Sequence, residues 1–299
     1  MLLSTVRLST VRLSTVNTVG LVSDVIRFSC VDGPGNRFVV FMQGCNFNCI
    51  ACHNPYTINI CNNCGECVQV CESTALGISA AGAITWNAAA CTGSDRCISW
   101  CPYDSTPKAL ATTVADLVDQ VRGPAPFLCG VTVSGGEATQ QAPFVKAFFA
   151  ALGADAKLGH LTRLVDSNGA APEHVWLDLA PVMDGAMIDL KALDADTHLS
   201  MTGQANDEVL ASIRLLASIG KLAELRLLLL PGVNDQPGVL ERTAAWLYDL
   251  DPSMQVKLIG FRCHGVRPTE RLLDEPDTDA MSRYGEIMRS AGLAHILLV

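Results

Sequence analysis

The sequence is short of the features that mark several classes of protein. No apolar run approaches the roughly 20 residues that a membrane-spanning helix needs. The longest, 227–230, stops at Pro231-Gly232 and reads as a buried strand. Positive charge is scarce: 21 Lys and Arg stand against 30 Asp and Glu, a net charge of −9. That balance excludes nucleic-acid backbones as partners. No convincing signal peptide precedes the chain, and at 299 residues it is too long to read as a small secreted disulfide scaffold.

What the sequence has is cysteine. Ten of its 13 cysteines fall between Cys45 and Cys101, in tight clusters. Such bunching suits metal ligation in a reducing cytoplasm better than cross-links. Length permits one barrel-sized domain with a smaller insert, and 49% apolar residues can bury a sizeable core. The start is unusual: residues 3–17 repeat LSTVR, LSTVR, LSTVN in a period that fits neither helix nor strand. Residues 1–19 read as a disordered repeat leader, with a targeting peptide as the alternative.

From residue 109 onward strand-like and helix-like stretches alternate. Strands are expected at 130–134, 161–166, 186–190, 224–230 and 255–261, with helices at 139–152, 172–179, 207–219 and 238–250. An earlier strand is expected at 37–43. The alternation implies parallel strands with right-handed crossovers, closing into a partial or complete barrel. Residues 58–108 break the rhythm and read as an insert held together by metal, between barrel segments 20–57 and 109–299.

Two kinds of cysteine cluster occur. Cys45, Cys49 and Cys52 are spaced C-x3-C-x2-C directly after a strand. Three thiolates cannot fill four irons, so a cubane held this way keeps one iron open. The alternative is a zinc site completed by His53. In the insert, Cys61, Cys64, Cys67 and Cys71 follow the ferredoxin spacing C-x2-C-x2-C-x3-C, and Cys91, Cys97 and Cys101-Pro102 repeat it with Ser94 where the second cysteine belongs. In two-cluster ferredoxins the fourth cysteine of each run serves the other run's cluster. One cluster would then take Cys61, Cys64, Cys67 and Cys101. The other would take only Cys71, Cys91 and Cys97, with Ser94 ligation, Asp95 ligation, loss of one iron, or an empty site as its outcomes. Cys30, Cys129 and Cys263 lie on or beside apolar strands and read as core.

The C-x3-C-x2-C spacing resembles the radical S-adenosylmethionine (SAM) superfamily. Further stretches fit in order: Gly135-Gly136-Glu137 after a strand, then Asp32-Gly33-Pro34-Gly35-Asn36-Arg37 upstream, similar to the DGPG-x-R signature of glycyl-radical enzyme activating enzymes. GCNFNCIACHNP, DSNG at 166–169, MIDLK at 187–191 and LRLLLLPGVND at 225–235 also resemble that family, and the insert with ITWNAAAC resembles its YjjW-type members. The resemblance runs from about residue 28 to the C-terminus. It implies a partial (β/α)6-type radical SAM barrel carrying a ferredoxin-like insert. It implies a catalytic [4Fe-4S] cluster on Cys45, Cys49 and Cys52, with Lys191 in the catalytic set. It implies that SAM is cleaved reductively to a 5′-deoxyadenosyl radical, which takes hydrogen from a glycine of a partner glycyl-radical enzyme under anaerobic conditions.

By the same resemblance, SAM would be met by the Ala51 backbone, His53, Gly135, Gly136, Glu137, Lys191, Arg226 and either Arg262 or His264. Asp166, Ser167, Met187 and Asp189 would form a small monovalent-cation site beside it. Asp32, Gly33, Pro34, Gly35 and Arg37 would face the partner's glycine loop. A flavodoxin- or ferredoxin-type donor would supply electrons, and the setting would be cytoplasmic. Two departures stand out: Ala51 is often aromatic in the superfamily, and Arg262 stands where related activases have histidine. The alternatives are a radical SAM enzyme acting on another peptide or small molecule, or a plain electron-transfer iron–sulfur protein.

Overall fold

The structure is a computed structural model that describes residues 18–267 and 273–299. The repeat leader lies outside the described residues except at its last two positions, and the first strand already begins at Val19.

In chain order the elements are β1 (Val19–Ser29), β2 (Arg37–Met42), β3 (Leu76–Ile78), β4 (Ile84–Trp86), α1 (Arg96–Ser99), β5 (Leu110–Thr113) and α2 (Val114–Arg122). Then come β6 (Gly130–Gly135), α3 (Ala142–Ala154), β7 (Thr162–Ser167), α4 (Glu173–Leu179), β8 (Gly185–Asp189), α5 (Ala195–Thr202) and α6 (Asp207–Ser218). The last are β9 (Leu222–Leu229), α7 (Pro237–Leu250), β10 (Gln255–Gly260), α8 (Thr278–Ser290) and β11 (His295–Leu298).

One nine-stranded sheet runs in the order β11-β10-β9-β8-β7-β6-β2-β1-β5. From β2 to β11 every pairing is parallel, and β1 joins β2 and β5 antiparallel. Neighbours along most of the sheet are consecutive strand–helix units, as crossover chirality favours.

Alternation along the strands decides the two faces. Val131, Val133, Val165, Ile188, Leu225, Leu227, Val256 and Leu258 join the main core cluster. The intervening residues Ser134, Asp166, Glu224, Arg226 and Lys257 bond one another within and across strands on the other face. The sheet therefore seals an apolar layer against its helices and keeps a polar concave face for chemistry.

Strand and helix positions expected from 37–43 and from 130 onward lie within a few residues of those observed. The helix expected at 139–152 begins later, at Ala142, after a 3-10 turn at Ala138–Gln141. Pro143 has no N–H to extend the helix backwards, so it sits in the first turn. The Gln141 side chain is spent on the backbone of Leu21 and Gln43.

Residues 58–108 leave the sheet after β2 and return at β5. Their own small core joins Cys67 and Cys97 to Leu76, with Cys71, Ile84 and Trp86 packed around it. β3 and β4 form a separate antiparallel pair. Cysteine thus occupies places that a core of this size would otherwise give to aliphatic side chains.

Candidate active site

The C-terminal ends of parallel strands are where such sheets place their sites. A cleft opens there, walled by Cys45, Cys49 and Cys52 on the loop after β2, together with Ala51 and His53. The opposite wall carries Gly135 and Gly136 after β6, Asp166 and Ser167 on β7, and Asp189 and Lys191 at the end of β8. The structure thus brings three cysteines, two glycines, two carboxylates and one ammonium group into one space.

Packing explains how the cysteine loop is held. Asn48 N–H and Ile50 N–H donate to the Thr202 and Met201 carbonyls at the end of α5, each at 2.9 Å. Arg267 donates to the carbonyls of Asn48 and Cys49 and pairs with Asp104 of the insert. Phe47 meets His198 edge-on with ring centres 5.5 Å apart. Asn168 Nδ2 faces Cys45 Sγ at 3.8 Å and donates to Asn46 at 2.8 Å. Arg267 carried no motif to reveal it, and Asn168 was visible only as one letter of DSNG.

Burial pushes the Cys45 thiol up to about 12 and the Cys49 thiol up to about 11, with neighbouring acids and thiols adding to the rise. Cys52 is raised too, chiefly by burial. Three half-buried thiols with raised pKa values become thiolates readily when a cation joins them, so this donor set fits a metal cluster. Among the described residues no three Cys, His, Asp or Glu side chains close around a single metal ion. His53 is turned elsewhere: its Nε2–H donates to the Arg262 carbonyl at 2.9 Å and its ring stacks on Phe261. That hydrogen bond engages Nε2 of His53 outside the cysteine cluster.

The charges in the far wall are paired. Lys191 Nζ lies 2.7 Å from Asp189. Burial alone would lower the Lys191 ammonium, but Asp189 and Cys49 outweigh it and hold its pKa above the ordinary value. Burial likewise opposes the Asp189 carboxylate, and Lys191 and Arg226 pull its pKa below the usual range. Asp166 accepts from Ser134 Oγ and from Arg226 Nη1, both at 2.8 Å. Burial raises its pKa against the pull of Arg226.

Several expected residues stand elsewhere. Glu137 does not reach the cleft. It is 1% exposed, and its carboxylate accepts from Thr139 N and Oγ1, Ser167 Oγ and Asn168 N. Arg226 is spent on Asp166, Glu224 and the Met187 sulfur rather than on the cleft. Met187 is fully buried beneath it. Arg262 is exposed and paired with Glu275, and His264 is exposed outside the cleft wall.

The glycine pair has a different packing reason from the expected approach to a ligand. A Cβ on Gly135 would meet Met42 N at 2.0 Å, and one on Gly136 would meet the Gly44 carbonyl at 2.3 Å. The two glycines let the end of β6 close against the end of β2, with Gly136 N–H and Glu137 N–H donating to Met42 and Gly44.

Arg37 also differs. It is fully buried, and its guanidinium donates to Thr132, Thr162, Pro34 and Val131. Burial lowers its pKa to about 10. It braces the loop 32–36 against the start of the sheet and offers nothing to a partner. Asp32, Gly33, Pro34 and Gly35 keep some exposure; Asp32 accepts from Ser29 Oγ, and its charge reaches Asp166. Cys30, Cys129 and Cys263, expected in the core, are exposed. Each sits at the margin of a strand rather than within its buried face.

In the insert, Cys61, Cys64, Cys67 and Cys101 surround one pocket. Cys71, Cys91 and Cys97 line another with Ser94, Asp95 and Lys108. The grouping is the crossed one. Asp95, however, turns its carboxylate onto the Lys108 ammonium. No helix of the described residues is long and apolar enough to cross a membrane.

Comparison with known proteins agrees with this geometry. Residues 39–242 match the model of the radical SAM superfamily. The pyruvate formate-lyase-activating enzyme of Streptococcus mutans is 30% identical over 82% of this chain and 79% of its own. The choline trimethylamine-lyase activating enzyme of Oleidesulfovibrio alaskensis is 30% identical over 76% of this chain and 77% of its own. Among solved structures, QueE from Escherichia coli superposes with a TM-score of 0.54 over 94% of both chains, at 10% identity, and so shares the fold. The chain belongs to the radical SAM superfamily and, within it, to the glycyl-radical enzyme activating enzymes.

Proposed function

We propose that this enzyme installs a radical on one glycine of a partner glycyl-radical enzyme, using SAM and a [4Fe-4S] cluster at the Cys45, Cys49 and Cys52 loop. The observation that carries the reading is the convergence of these three thiols with Gly135, Gly136, Asp166, Asp189 and Lys191 in one cleft at the strand ends. When bound, the cluster and SAM supply a one-electron cleavage of the sulfonium, giving methionine and a 5′-deoxyadenosyl radical that takes hydrogen from the glycine α-carbon.

The chain's own residues bind, orient and exclude water. Cys45, Cys49 and Cys52 would hold the cluster by three thiolates, so that one iron would stay open to SAM. Ala51, which lines the cleft, would offer its backbone to the adenine. Lys191 and the Asp189 carboxylate beside it set the charge of the far wall, and Asp166, anchored by Arg226, completes it. Ser167 and Asn168, tied to Glu137, fix the end of β7 against the cysteine loop. The exposed loop 32–35 is where the partner's glycine segment approaches.

In the insert, Cys61, Cys64, Cys67 and Cys101 would hold one four-thiolate cluster and Cys71, Cys91 and Cys97 a second, and these would supply a path for electrons from a flavodoxin- or ferredoxin-type donor. The Asp104–Arg267 pair supports this role, because it ties the insert to the carbonyls of the catalytic loop. The test is anaerobic: reduced, iron-loaded enzyme with SAM should release 5′-deoxyadenosine and methionine in equal amounts. No product from a fully loaded cluster would sink the reading.

A further inference from the structure

The two pockets of the insert are unequal, and the inequality has a structural cause. One is walled by four cysteines. The other has three, Cys71, Cys91 and Cys97, and its remaining oxygen-bearing side chains are Ser73, Ser94 and Asp95. Serine must lose a proton to ligate iron, whereas a carboxylate at neutral pH is already an anion. Asp95 is therefore the stronger oxygen donor within reach.

Asp95 is not free to serve. It precedes α1 in a left-handed conformation, φ 53°, and its side chain makes no capping bond to that helix. The carboxylate instead pairs with Lys108. Its side chain is 62% exposed, while that of Lys108 is 14% exposed. The lysine thus lies in the pocket wall and engages the more exposed carboxylate. The neighbouring charges, Arg96 and Glu72, are paired with each other and do not compete for Asp95.

Resting on the reading of the insert as a two-cluster unit, we infer that Lys108 acts as a latch on Asp95 and makes the Cys71/Cys91/Cys97 pocket a three-iron site. With the carboxylate held by the ammonium group, the pocket offers no fourth anionic ligand and a fourth iron is not retained. Removing the latch frees Asp95 to close the site as a four-iron cluster. The lysine is a positioning residue: it acts on the cluster through Asp95.

The experiment uses the full iron-loaded chain with SAM added, so that the open iron of the catalytic cluster is covered. The readouts are iron per chain and the EPR signal of an oxidised three-iron core; an oxidised four-iron cluster gives none. The unaltered chain should hold about eleven irons and show the signal. Lys108→Met should gain about one iron and lose the signal. Lys108→Met combined with Asp95→Ala should regain it. Ser94→Cys supplies the missing thiol directly and should lose the signal whatever Lys108 does. An unaltered chain with about twelve irons and no signal, or with about eight irons, overturns the inference. So does a Lys108→Met chain that keeps the signal. A chain that shows the expected insert signals yet fails to cleave SAM would contradict the proposed function and leave the latch standing.

Discussion

The backbone N–H of Asn168 donates to Glu137 Oε2 at 2.8 Å, joining the end of β7 to the turn that follows β6. The other carboxylate oxygen is filled by Thr139 and Ser167. Glu137 is thus a buried brace behind the cleft. Glu137→Gln keeps an acceptor for Thr139 and Ser167 but offers Asn168 an N–H where it needs an oxygen. The cost should be about 1–3 kcal/mol of stability, read by denaturant unfolding of the apo chain. Burial raises the folded pKa of Glu137 above its unfolded value. The folded state therefore holds the proton more tightly, and this group's contribution to stability falls as pH rises through the unfolded carboxylate pKa. Glu137→Gln should flatten that part of the pH–stability curve.

Arg37 makes its own prediction because no carboxylate is bonded to it. Its partners are hydroxyls and carbonyls from Pro34, Val131, Thr132 and Thr162. Arg37→Met would orphan more than one buried acceptor and should cost roughly 3 kcal/mol or more. If Arg37 faced the partner instead, the variant would keep its stability and lose only partner activation.

The catalytic thiols predict a proton count. Cys45 and Cys49, pushed up to about 12 and about 11, are neutral in the apo protein at pH 7. Cys52 is raised as well. Cluster assembly should then release about three protons at this loop, and iron uptake should strengthen as pH rises. A pH-stat comparison of the chain with a Cys45→Ala/Cys49→Ala/Cys52→Ala variant measures the difference. In the apo state the sign is opposite: thiols with raised folded pKa values lose stability as pH climbs from 9 toward those values.

Arg267 spans Asp104 of the insert and the carbonyls of Asn48 and Cys49. Arg267→Ala should slow donor-dependent SAM cleavage about tenfold, equivalent to roughly 1.4 kcal/mol. A strong chemical reductant that reaches the catalytic cluster directly should lessen the defect. Equal slowing with both reductants would place the effect in the cysteine loop alone.

Much of this was legible in the sequence because spacing carries it. The strand rhythm came from apolar alternation, and the crossed grouping of Cys101 with Cys61, Cys64 and Cys67 followed from ferredoxin spacing. Glu137, Arg226 and Arg37 were expected at ligand or partner from the motifs they resemble. Each is buried and saturated with hydrogen bonds, which a linear motif cannot express. Arg267 stayed hidden because its contacts to Asp104, Asn48 and Cys49 bridge 163 to 219 residues of chain. β1 and the edge strand β5 pair across the whole insert, a separation no local pattern reports.

The most direct measurement follows the hydrogen atom itself. A glycyl-radical enzyme from the same source is prepared with its glycine α-carbons deuterated and incubated, anaerobically, with reduced enzyme and SAM. Deuterium should appear in 5′-deoxyadenosine while a glycyl-radical EPR signal grows on the partner. Release of 5′-deoxyadenosine that carries no deuterium from the partner's glycine, with no radical growing on that partner, would contradict the account.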